Sequence, residues 1–309
     1  MKTICRWKCL ADVDRGAAVA LGSFDGVYRC DQRLIAETAR AAEALGAPLG
    51  LVIFDPGADM DLQPRSLSRR VMNRTQLARR AEALGVDLLY LLSLDCEMAN
   101  FSGRDFVKEV LVAGLGVRHV TLGSSHTLLA LSRADALGVL RRYGEDFGFS
   151  VGDASEPGGS KDSSTATRRA LHLGRPDQAA LLMGRPFAIE GVVQRGRQLG
   201  RQLGFPTANV PLGDYVLPKF GVYATRTRLE DGREVPGVAN IGVNPTTGAV
   251  APILEVWLFD FDENIYGQTI ETELVAFQRP EIKFPSIEAM VEQLWRDALQ
   301  ARRLLQADA

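Results

Sequence analysis

The sequence has few cysteines. The four thiols in 309 residues are Cys5, Cys9, Cys30 and Cys96. They provide no disulfide framework, and a chain of this length can bury a core without one. Cys5 and Cys9 have no second Cys or His pair at zinc-ligand spacing, so no structural zinc site is predicted.

An excess of charge of one sign and long apolar runs are also missing. The 36 Lys and Arg residues oppose 38 Asp and Glu residues, which gives a formal net charge of -2. No basic field is therefore available for nucleic acid or an anionic membrane surface. No stretch approaches the roughly 18 apolar residues of a membrane span, and residues 1–14 contain no apolar signal-peptide core. We expect a cytoplasmic protein without nucleic-acid or membrane partners; its oligomeric state, a homo-oligomer included, stays open.

The first half of the sequence alternates short apolar runs with helical patterns. The pattern predicts strands at 17–21, 49–54, 88–92 and 119–122, and helices at 33–45, 69–84, 106–115 and 134–143. Such alternation is typical of parallel strands joined by crossover helices, an α/β doubly wound sheet. Ligands of these sheets bind beyond the carboxyl ends of the strands.

The second half is rich in β-type runs separated by turn residues. Two short helices are predicted first, at 165–173 and 177–183; strands follow at 187–194, 221–228, 237–243, 253–259 and 269–277, and a long helix at 286–305 with Ser286 as its cap. This pattern favours an antiparallel barrel or sandwich. Gly184 and Pro186 mark the boundary, so we predict domains at 1–184 and 185–309.

The strongest motif is GVVQRGRQLGRQLGFPTAN, at residues 191–209. Its glycines permit close approach of backbone N–H groups to an anion, as in phosphate loops. They are Gly191, Gly196, Gly200 and Gly204. Thr207 and Asn209 then offer a hydroxyl and an amide oxygen, which are ligands that Mg²⁺ accepts. The alternative is a bulge and a turn in a barrel, and no Walker A motif occurs anywhere in the chain.

Glu255 lies in LEVWLFDFD, on a predicted strand with alternating pattern. Leu254, Val256 and Leu258 share one face, while Glu255, Trp257 and Phe259 share the other. A carboxylate placed in this way is either an exposed edge residue or a catalytic base in a half-buried cleft.

Two further motifs lie in the first domain. GSFDG, at residues 22–26, follows the first predicted strand, where nucleotide phosphates usually meet a helix N-terminus. SSTATR provides Ser163, Ser164, Thr165 and Arg168 at the start of a helix. These side chains suit phosphate, and they equally suit an ordinary helix cap.

These motifs, in this order, resemble the prokaryotic bifunctional riboflavin kinase/FMN adenylyltransferase family (FAD synthetase) from about residue 19 to residue 305. GFPTAN, at 204–209, is similar to the kinase signature. VANIGVNPT (238–246), LEVWLFDFDENIYG (254–267) and RPEIKF (279–284) fall where the family has matching blocks. The resemblance implies an N-terminal nucleotidyltransferase-like α/β domain and a C-terminal six-stranded β-barrel kinase domain with a final helix.

The resemblance also implies roles for residues in the kinase domain. Thr207 and Asn209 would hold Mg²⁺ and ATP, and Glu255 would be the base for the ribityl hydroxyl of riboflavin, with FMN as product. The residues implied for substrate binding are Gly191, Gly196, Gly200, Gly204, Pro206, Asn240 and Arg279.

The N-terminal motif departs from the family pattern GxFDGxHxGHxxLI. This chain reads GSFDGVYRCDQRLI, with Tyr28, Cys30 and Asp31 in place of His, Gly and His. Tyr28 could still donate one hydrogen bond, but an ionised Asp31 cannot donate to a phosphate, and each lost donor typically lowers the rate by about two to three orders of magnitude. GSSHTLLA (123–130) and Ala166 in SSTATR depart as well. The degenerate site comprises Gly22, Phe24, Asp25, Gly26, Tyr28, Asp31, Ser163, Ser164, Thr165 and Arg168.

We therefore expect an ATP-dependent riboflavin kinase whose adenylyltransferase domain is impaired. The first alternative is the complete bifunctional enzyme, which makes FMN and then FAD. The second is a flavin- or nucleotide-binding regulatory protein without turnover, against which the intact Thr207, Asn209 and Glu255 argue.

Overall fold

The computed structural model describes most of the chain and divides it into two compact units. The described residues are 1–55, 70–93, 96–123, 132–154, 164–196, 200, 203–243 and 251–307. The first unit comprises Met1–Leu67 and Arg74–Asp162, and the second comprises Ser68–Asn73 and Ser163–Ala309. None of the described helices is long and apolar enough to cross a membrane.

The first unit contains a six-stranded, all-parallel sheet in the order β1-β4-β3-β2-β5-β6. Its strands are β1 (Lys2–Ile4), β2 (Ala18–Leu21), β3 (Leu49–Asp55), β4 (Leu88–Ser93), β5 (His119–Leu122) and β6 (Ser150–Asp153). All four residues of β2 are buried, so both faces of this central strand are covered. The predicted doubly wound parallel sheet is confirmed, with two further edge strands, β1 and β6.

Helices connect these strands. They are α1 (Arg29–Leu45), α2 (Arg74–Ala83), α3 (Cys96–Ala99), α4 (Gly103–Asp105) with a π-helical continuation over Phe106–Gly114, and α5 (Arg133–Phe147). The π-helical segment and α5 pack with β2, β4 and β5 in one apolar core. Chain order reverses between β2 and β5, which makes the carboxyl ends of these two strands the switch point of the sheet.

The second unit contains two short helices, an antiparallel six-stranded sheet and a long final helix. The helices are α6 (Ser164–His172), α7 (Pro176–Met183) and α8 (Ile287–Ala307); the strands are β7 (Phe187–Val192), β8 (Thr207–Pro211), β9 (Gly221–Arg228), β10 (Glu234–Val243), β11 (Pro252–Leu258) and β12 (Thr269–Arg279). The strand order is β7-β12-β9-β10-β11-β8. The two edges approach each other, because Gln194 just past β7 donates its N–H to the Asn209 carbonyl of β8 at 2.8 Å.

The final helix α8 packs on the outer face of the curled sheet. Ala298, Ala301 and Leu305 form an apolar cluster with residues of β9 and β10. The Ser286 hydroxyl accepts a hydrogen bond from the Ala289 N–H at 3.2 Å, as predicted for a cap. The six-stranded antiparallel architecture with a C-terminal helix is thereby confirmed.

The division into units differs from the predicted boundary at Gly184. Helices α6 and α7 belong to the second unit, where the Leu171 carbonyl accepts a hydrogen bond from the Lys219 N–H at 2.9 Å. Residues 68–73 also belong to the second unit, although both of their sequence neighbours lie in the first. Residue patterns along the chain do not reveal such an excursion, because it depends on a docking partner far away in sequence.

Candidate active site

A row of side chains crosses the outer face of the antiparallel sheet. In the strand register, Asn209 of β8 lies opposite Glu255 of β11, and Glu255 lies opposite Asn240 of β10. The row continues through Val222 of β9 to Arg279 at the end of β12. Because directly paired residues point to the same face, the register brings four predicted site residues onto one surface.

Glu255 occupies this surface because β11 alternates. Leu254, Val256 and Leu258 are buried, whereas Glu255 and Trp257 are half-buried on the opposite face. The predicted division of the strand into two faces is thus what the structure has. Glu255 is accessible from a cavity and flanked by amide side chains on both neighbouring strands.

The first cavity lies against this row and has a volume of about 400 Å³. Its polar wall contains Thr207, Asn209, Asn240, Glu255, Arg279, Glu281 and Asp297, and its apolar wall includes Leu203, Phe205, Val222, Val238, Val243, Ile253, Trp257, Ile282, Phe284, Met290 and Leu294. The Phe205 and Trp257 rings meet edge to face, with centroids 4.8 Å apart. The cavity therefore has an aromatic, apolar body and a line of polar groups along the strands.

An ion pair and a separate hydrogen bond hold the polar side chains near Arg279 and Asn240 in the first cavity. The Arg279 Nε and Nη2 atoms donate to the two oxygens of Asp297, at 2.9 Å and 2.6 Å. The Asn240 carboxamide donates to Glu281 Oε1 at 3.2 Å. The two partners, Glu281 and Asp297, also line the cavity. Neither was among the site residues predicted from the sequence.

A second cavity of about 490 Å³ shares Thr207 and Asn209 with the first. It is lined besides by Val193, Arg195, Pro206, Ala208, Val256, Leu258, Phe261, Asp262, Glu263, Asn264, Ile265 and Tyr266. The Arg195 guanidinium lies 5.3 Å from the centroid of the Tyr266 ring, which holds this cation at the cavity edge. Thr207 and Asn209 thus stand between two separate cavities.

The glycines before β8 make room for this wall. A Cβ on Gly196 would come within 2.7 Å of the Asn209 carboxamide, and a Cβ on Gly200 would collide with the Phe205 carbonyl. Of the four motif glycines only Gly204 has a left-handed backbone, with φ 84°. Gly200 lines the first cavity, whereas Gly191 lines neither cavity, and a Cβ on Gly191 would come within 2.6 Å of the Val210 side chain of β8.

The donor set at Thr207 and Asn209 suits a divalent ion that arrives with a nucleotide. Asn209 is buried and its Nδ2 donates to the Thr207 carbonyl at 3.3 Å, which leaves Oδ1 as the acceptor end of the amide. Two neutral oxygens are too few to hold Mg²⁺ alone, but Mg²⁺ is commonly completed by phosphate oxygens and water. Within the described part of the chain, no three His, Cys, Asp or Glu side chains form a metal cluster.

In the first unit, the predicted degenerate motif lies at the switch point of the parallel sheet. GSFDG follows β2, and the Gly123 N–H after β5 donates to the Leu21 carbonyl at 3.1 Å. Phe24 and Val27 both have φ 46°, a left-handed conformation that is strained for a β-branched residue such as Val27. Strain of this kind persists where the surroundings hold the loop, and it is common in ligand-binding loops.

Tyr28 and Asp31 are both engaged in the local structure of this loop. Tyr28 is only 4% exposed, and its hydroxyl lies 2.7 Å from where a Cβ on Gly26 would be. The Asp31 carboxylate accepts a hydrogen bond from the Tyr28 N–H at 2.8 Å and so caps α1. Burial raises the pKa of Asp31 to about 6, with a further increase from Asp25. Asp31 is therefore a helix-capping residue, a role that the motif comparison did not anticipate.

The remaining predicted residues of this motif lie in the second unit. Ser164, Thr165 and Arg168 are in the first two turns of α6, where Arg168 is half-buried and Thr165 is exposed. Ser163 and residues 124–130 of GSSHTLLA fall outside the described residues.

Comparison with known proteins covers both units. The riboflavin kinase family profile matches residues 183–305, and the FAD synthetase profile matches residues 10–166. Relatives named bifunctional riboflavin kinase/FMN adenylyltransferase include one from Pseudomonas fluorescens, 37% identical over 94% of this chain and 93% of its own length. Another, from Escherichia coli (strain K12), is 34% identical over 93% of this chain and 92% of its own length.

A solved structure supports the fold over nearly the whole chain. It is titled as a macrolide-efflux protein from Streptococcus pneumoniae and has a TM-score of 0.81 at 27% identity. The match covers 97% of this chain and 98% of that one.

Proposed function

The chain belongs to the bifunctional riboflavin kinase/FMN adenylyltransferase family, and we propose that it phosphorylates riboflavin to FMN with ATP in its second unit. We propose further that its first unit has weak or no FMN adenylyltransferase activity. The kinase proposal rests chiefly on one observation: Glu255 and Asn209 are paired across two strands, at the point where two cavities meet.

Each cavity suits one of two substrates. The first cavity has an aromatic and apolar body, as a flavin ring system requires, and a polar line that includes Glu255. The second cavity contains Arg195 and the polar residues around 262–266, which suits the nucleotide. Thr207 and Asn209 border both cavities, so the γ-phosphate and the ribityl hydroxyl would meet beside these two residues.

Glu255 acts as the base in this proposal. Its carboxylate takes the proton of the ribityl 5′-hydroxyl as the hydroxyl oxygen attacks the γ-phosphorus, and the bond from phosphorus to the β,γ-bridging oxygen breaks to release ADP. Catalysis of such a transfer depends mainly on positioning and charge stabilisation. Asn209 and Asn240 are the cross-strand partners of Glu255, so their amides flank it on both neighbouring strands.

Thr207 and Asn209 would hold Mg²⁺ through their side-chain oxygens, together with the phosphates of ATP. When bound, this ion neutralises phosphate charge during the transfer. The residues of the chain orient the hydroxyl, accept its proton and exclude water from the apolar part of the cavity.

The proposed loss in the first unit rests on what Tyr28 and Asp31 do there. The Tyr28 ring is buried over Gly26, and the Asp31 carboxylate caps α1. Tyr28 could still donate one hydrogen bond to a phosphate through its hydroxyl, whereas an ionised Asp31 cannot donate and would repel the phosphate. The complete bifunctional activity is the second candidate, favoured by the names of relatives that are 33–37% identical.

The deciding experiment incubates the chain with riboflavin, ATP and Mg²⁺ and separates the flavins by chromatography. FMN alone supports the proposal, and FMN with FAD supports the bifunctional enzyme. Formation of neither would support a binding protein without turnover. FAD formation within about tenfold of 10 s⁻¹, a typical enzyme rate, would overturn the proposed loss in the first unit.

A further inference from the structure

Arg279 is the one cation among the described residues that line the first cavity, and its guanidinium is held in a defined orientation. The Asp297 carboxylate takes the Nε and Nη2 edge, at 2.9 Å and 2.6 Å. Arg279 Nη1 donates to the Pro280 carbonyl at 3.0 Å. Because a guanidinium has five N–H donors in a planar fork, one N–H on each terminal nitrogen remains for a ligand.

Asp297 is itself fixed from within α8. Its side chain is only 2% exposed, and its Oδ1 accepts a second hydrogen bond from Gln293 Nε2, one helical turn earlier, at 2.9 Å. The Arg279 side chain is 18% exposed. A charge-assisted pair that is so well shielded from water is geometrically restrictive, in contrast to a surface ion pair.

Arg279 lies at one end of the polar row, and Glu255 lies next to Asn209, which forms the other end. Three strand spacings separate β12 from β11 through β9 and β10, which is about 14 Å along the sheet at ~4.8 Å per spacing. A flavin whose ribityl hydroxyl reaches Glu255 can span this distance with its ring system. The strongest acceptors of that ring system are the carbonyl oxygens of the pyrimidine ring, and they suit the N–H groups that remain on Arg279.

We propose that Asp297, supported by Gln293, is a positioning residue that aims the Arg279 fork at the pyrimidine carbonyl oxygens of the flavin. This inference rests on the proposed kinase function for the position of the ribityl chain. Asp297 touches no substrate; it acts through Arg279 and contributes to ring recognition, far from the atoms that react.

The test is Asp297→Asn in the full chain, analysed by steady-state kinetics. The riboflavin KM should rise about tenfold to a hundredfold, while kcat and the ATP KM change less than about threefold, because the lost contact is equally present in ground and transition states. Gln293→Ala should change the same parameter in the same direction by a smaller factor. It also serves as the second variant if Asp297→Asn does not fold.

Asp260→Asn is the matched control. Asp260 makes a two-point ion pair with Arg302, at 2.9 Å and 3.0 Å, and Arg302 belongs to α8, the helix that also contains Asp297. This pair lies on an exposed surface outside both cavities. The riboflavin KM of the Asp260→Asn variant should equal that of the parent. In an Arg279→Met background, Asp297→Asn should add less than about twofold, because its effect passes through Arg279.

Equilibrium binding of riboflavin without ATP, measured by flavin fluorescence, separates this inference from the kinase proposal. If the parent chain binds riboflavin but forms no FMN, the kinase proposal fails and the binding constants of the variants still test Asp297. An unchanged riboflavin affinity in folded Asp297→Asn overturns the positioning role. A fall in kcat with unchanged KM, or a full additional loss in the Arg279→Met background, also overturns it.

Discussion

Glu255 lies between two amide side chains, and the polar row around it is built from uncharged neighbours. Asn209 and Asn240 face it from β8 and β10. This arrangement leaves Glu255 as the carboxylate beside the wall that both cavities share. At the scale of single residues, the proposed chemistry of the second unit therefore depends on one proton acceptor.

Glu255→Gln should lower kinase turnover by about 10²–10⁴-fold, because it keeps the shape and removes the base. Riboflavin and MgATP affinities and the melting temperature should stay close to those of the parent. Initial rates of FMN formation at saturating substrates measure the effect. Glu234→Gln, an exposed glutamate on neighbouring β10, is the control. Near-parental turnover in Glu255→Gln would assign the base to another group.

Asp31 makes stability depend on pH in an unusual direction. Its pKa is raised from an ordinary 3.8 to about 6, first by burial. Between these two values the folded protein keeps a proton that the unfolded chain has lost, so the contribution of Asp31 falls as pH rises and is least favourable above about pH 6.

Asp31→Asn should therefore stabilise the first unit at pH 7.5, by up to about 2 kcal/mol, and much less at pH 4.5. An asparagine oxygen can still accept the Tyr28 N–H, so the cap of α1 is retained. Urea denaturation at the two pH values measures the difference. An equal stabilisation by Asp31→Asn at both pH values would show that burial does not penalise the ionised Asp31 carboxylate.

At the scale of elements, β8 forms part of the wall between the two cavities. Its first three residues carry Thr207 and Asn209 on one face, opposite Trp257 and Glu255 of β11. The loop before β8 packs so closely that Gly196 and Gly200 cannot carry a side chain without displacement. The wall between the cavities is thus a strand end together with its preceding loop.

Thr207→Val and Asn209→Ala should each weaken MgATP binding about tenfold or more and leave riboflavin binding nearly unchanged. Each removes one oxygen from the proposed ion site, and Asn209→Ala also removes the hydrogen bond from Asn209 Nδ2 to the Thr207 carbonyl. Titration of the folded variants with MgATP measures this. Thr225→Val is the control, because the buried Thr225 hydroxyl has no hydrogen-bond partner in the described structure. If both site variants bind MgATP as tightly as the parent does, GFPTAN is a structural turn and not an ion site.

At the scale of the whole molecule, the second unit recruits residues from within the sequence of the first. The backbone of Arg70 exchanges hydrogen bonds with Asp214 and Val216, at 2.7 Å and 2.8 Å. The Asn73 carboxamide donates to Glu190 Oε1 at 3.0 Å, and Glu190 is only 6% exposed. The stability of the second unit therefore depends on a segment more than 100 residues upstream of its first strand, β7.

Asn73→Ala should destabilise the second unit by about 1–3 kcal/mol, because a buried carboxylate loses a donor. In a Trp7→Phe background the remaining tryptophans, Trp257 and Trp295, both report on this unit. Urea titration followed by their fluorescence measures the loss. Thr75→Ala, at an exposed position of α2, should leave the midpoint unchanged; an equal shift in both variants would contradict a specific role for Asn73.

Much of the fold could be predicted from sequence because its signals are local. The alternation in β11, the bounds of β9 and β5 and the Ser286 cap all depend on neighbouring residues. β8 was not predicted as a strand, since only four residues lie between Pro206 and Pro211 and a glycine-rich stretch precedes them. The edge strands β1 (KTI) and β6 (SVGD) each contain one apolar residue, so neither gives an apolar run.

The sequence by itself determined the two architectures, the family motifs and the face on which Glu255 lies. Only the tertiary structure decided that Asn209, Glu255, Asn240 and Arg279 form one row, because register is set by pairing between strands far apart in sequence. It also decided that Asp297 orients Arg279, that Asp31 caps α1 and that Asn73 belongs to the second unit. Each of these depends on a partner or a burial that exists only after the chain has folded.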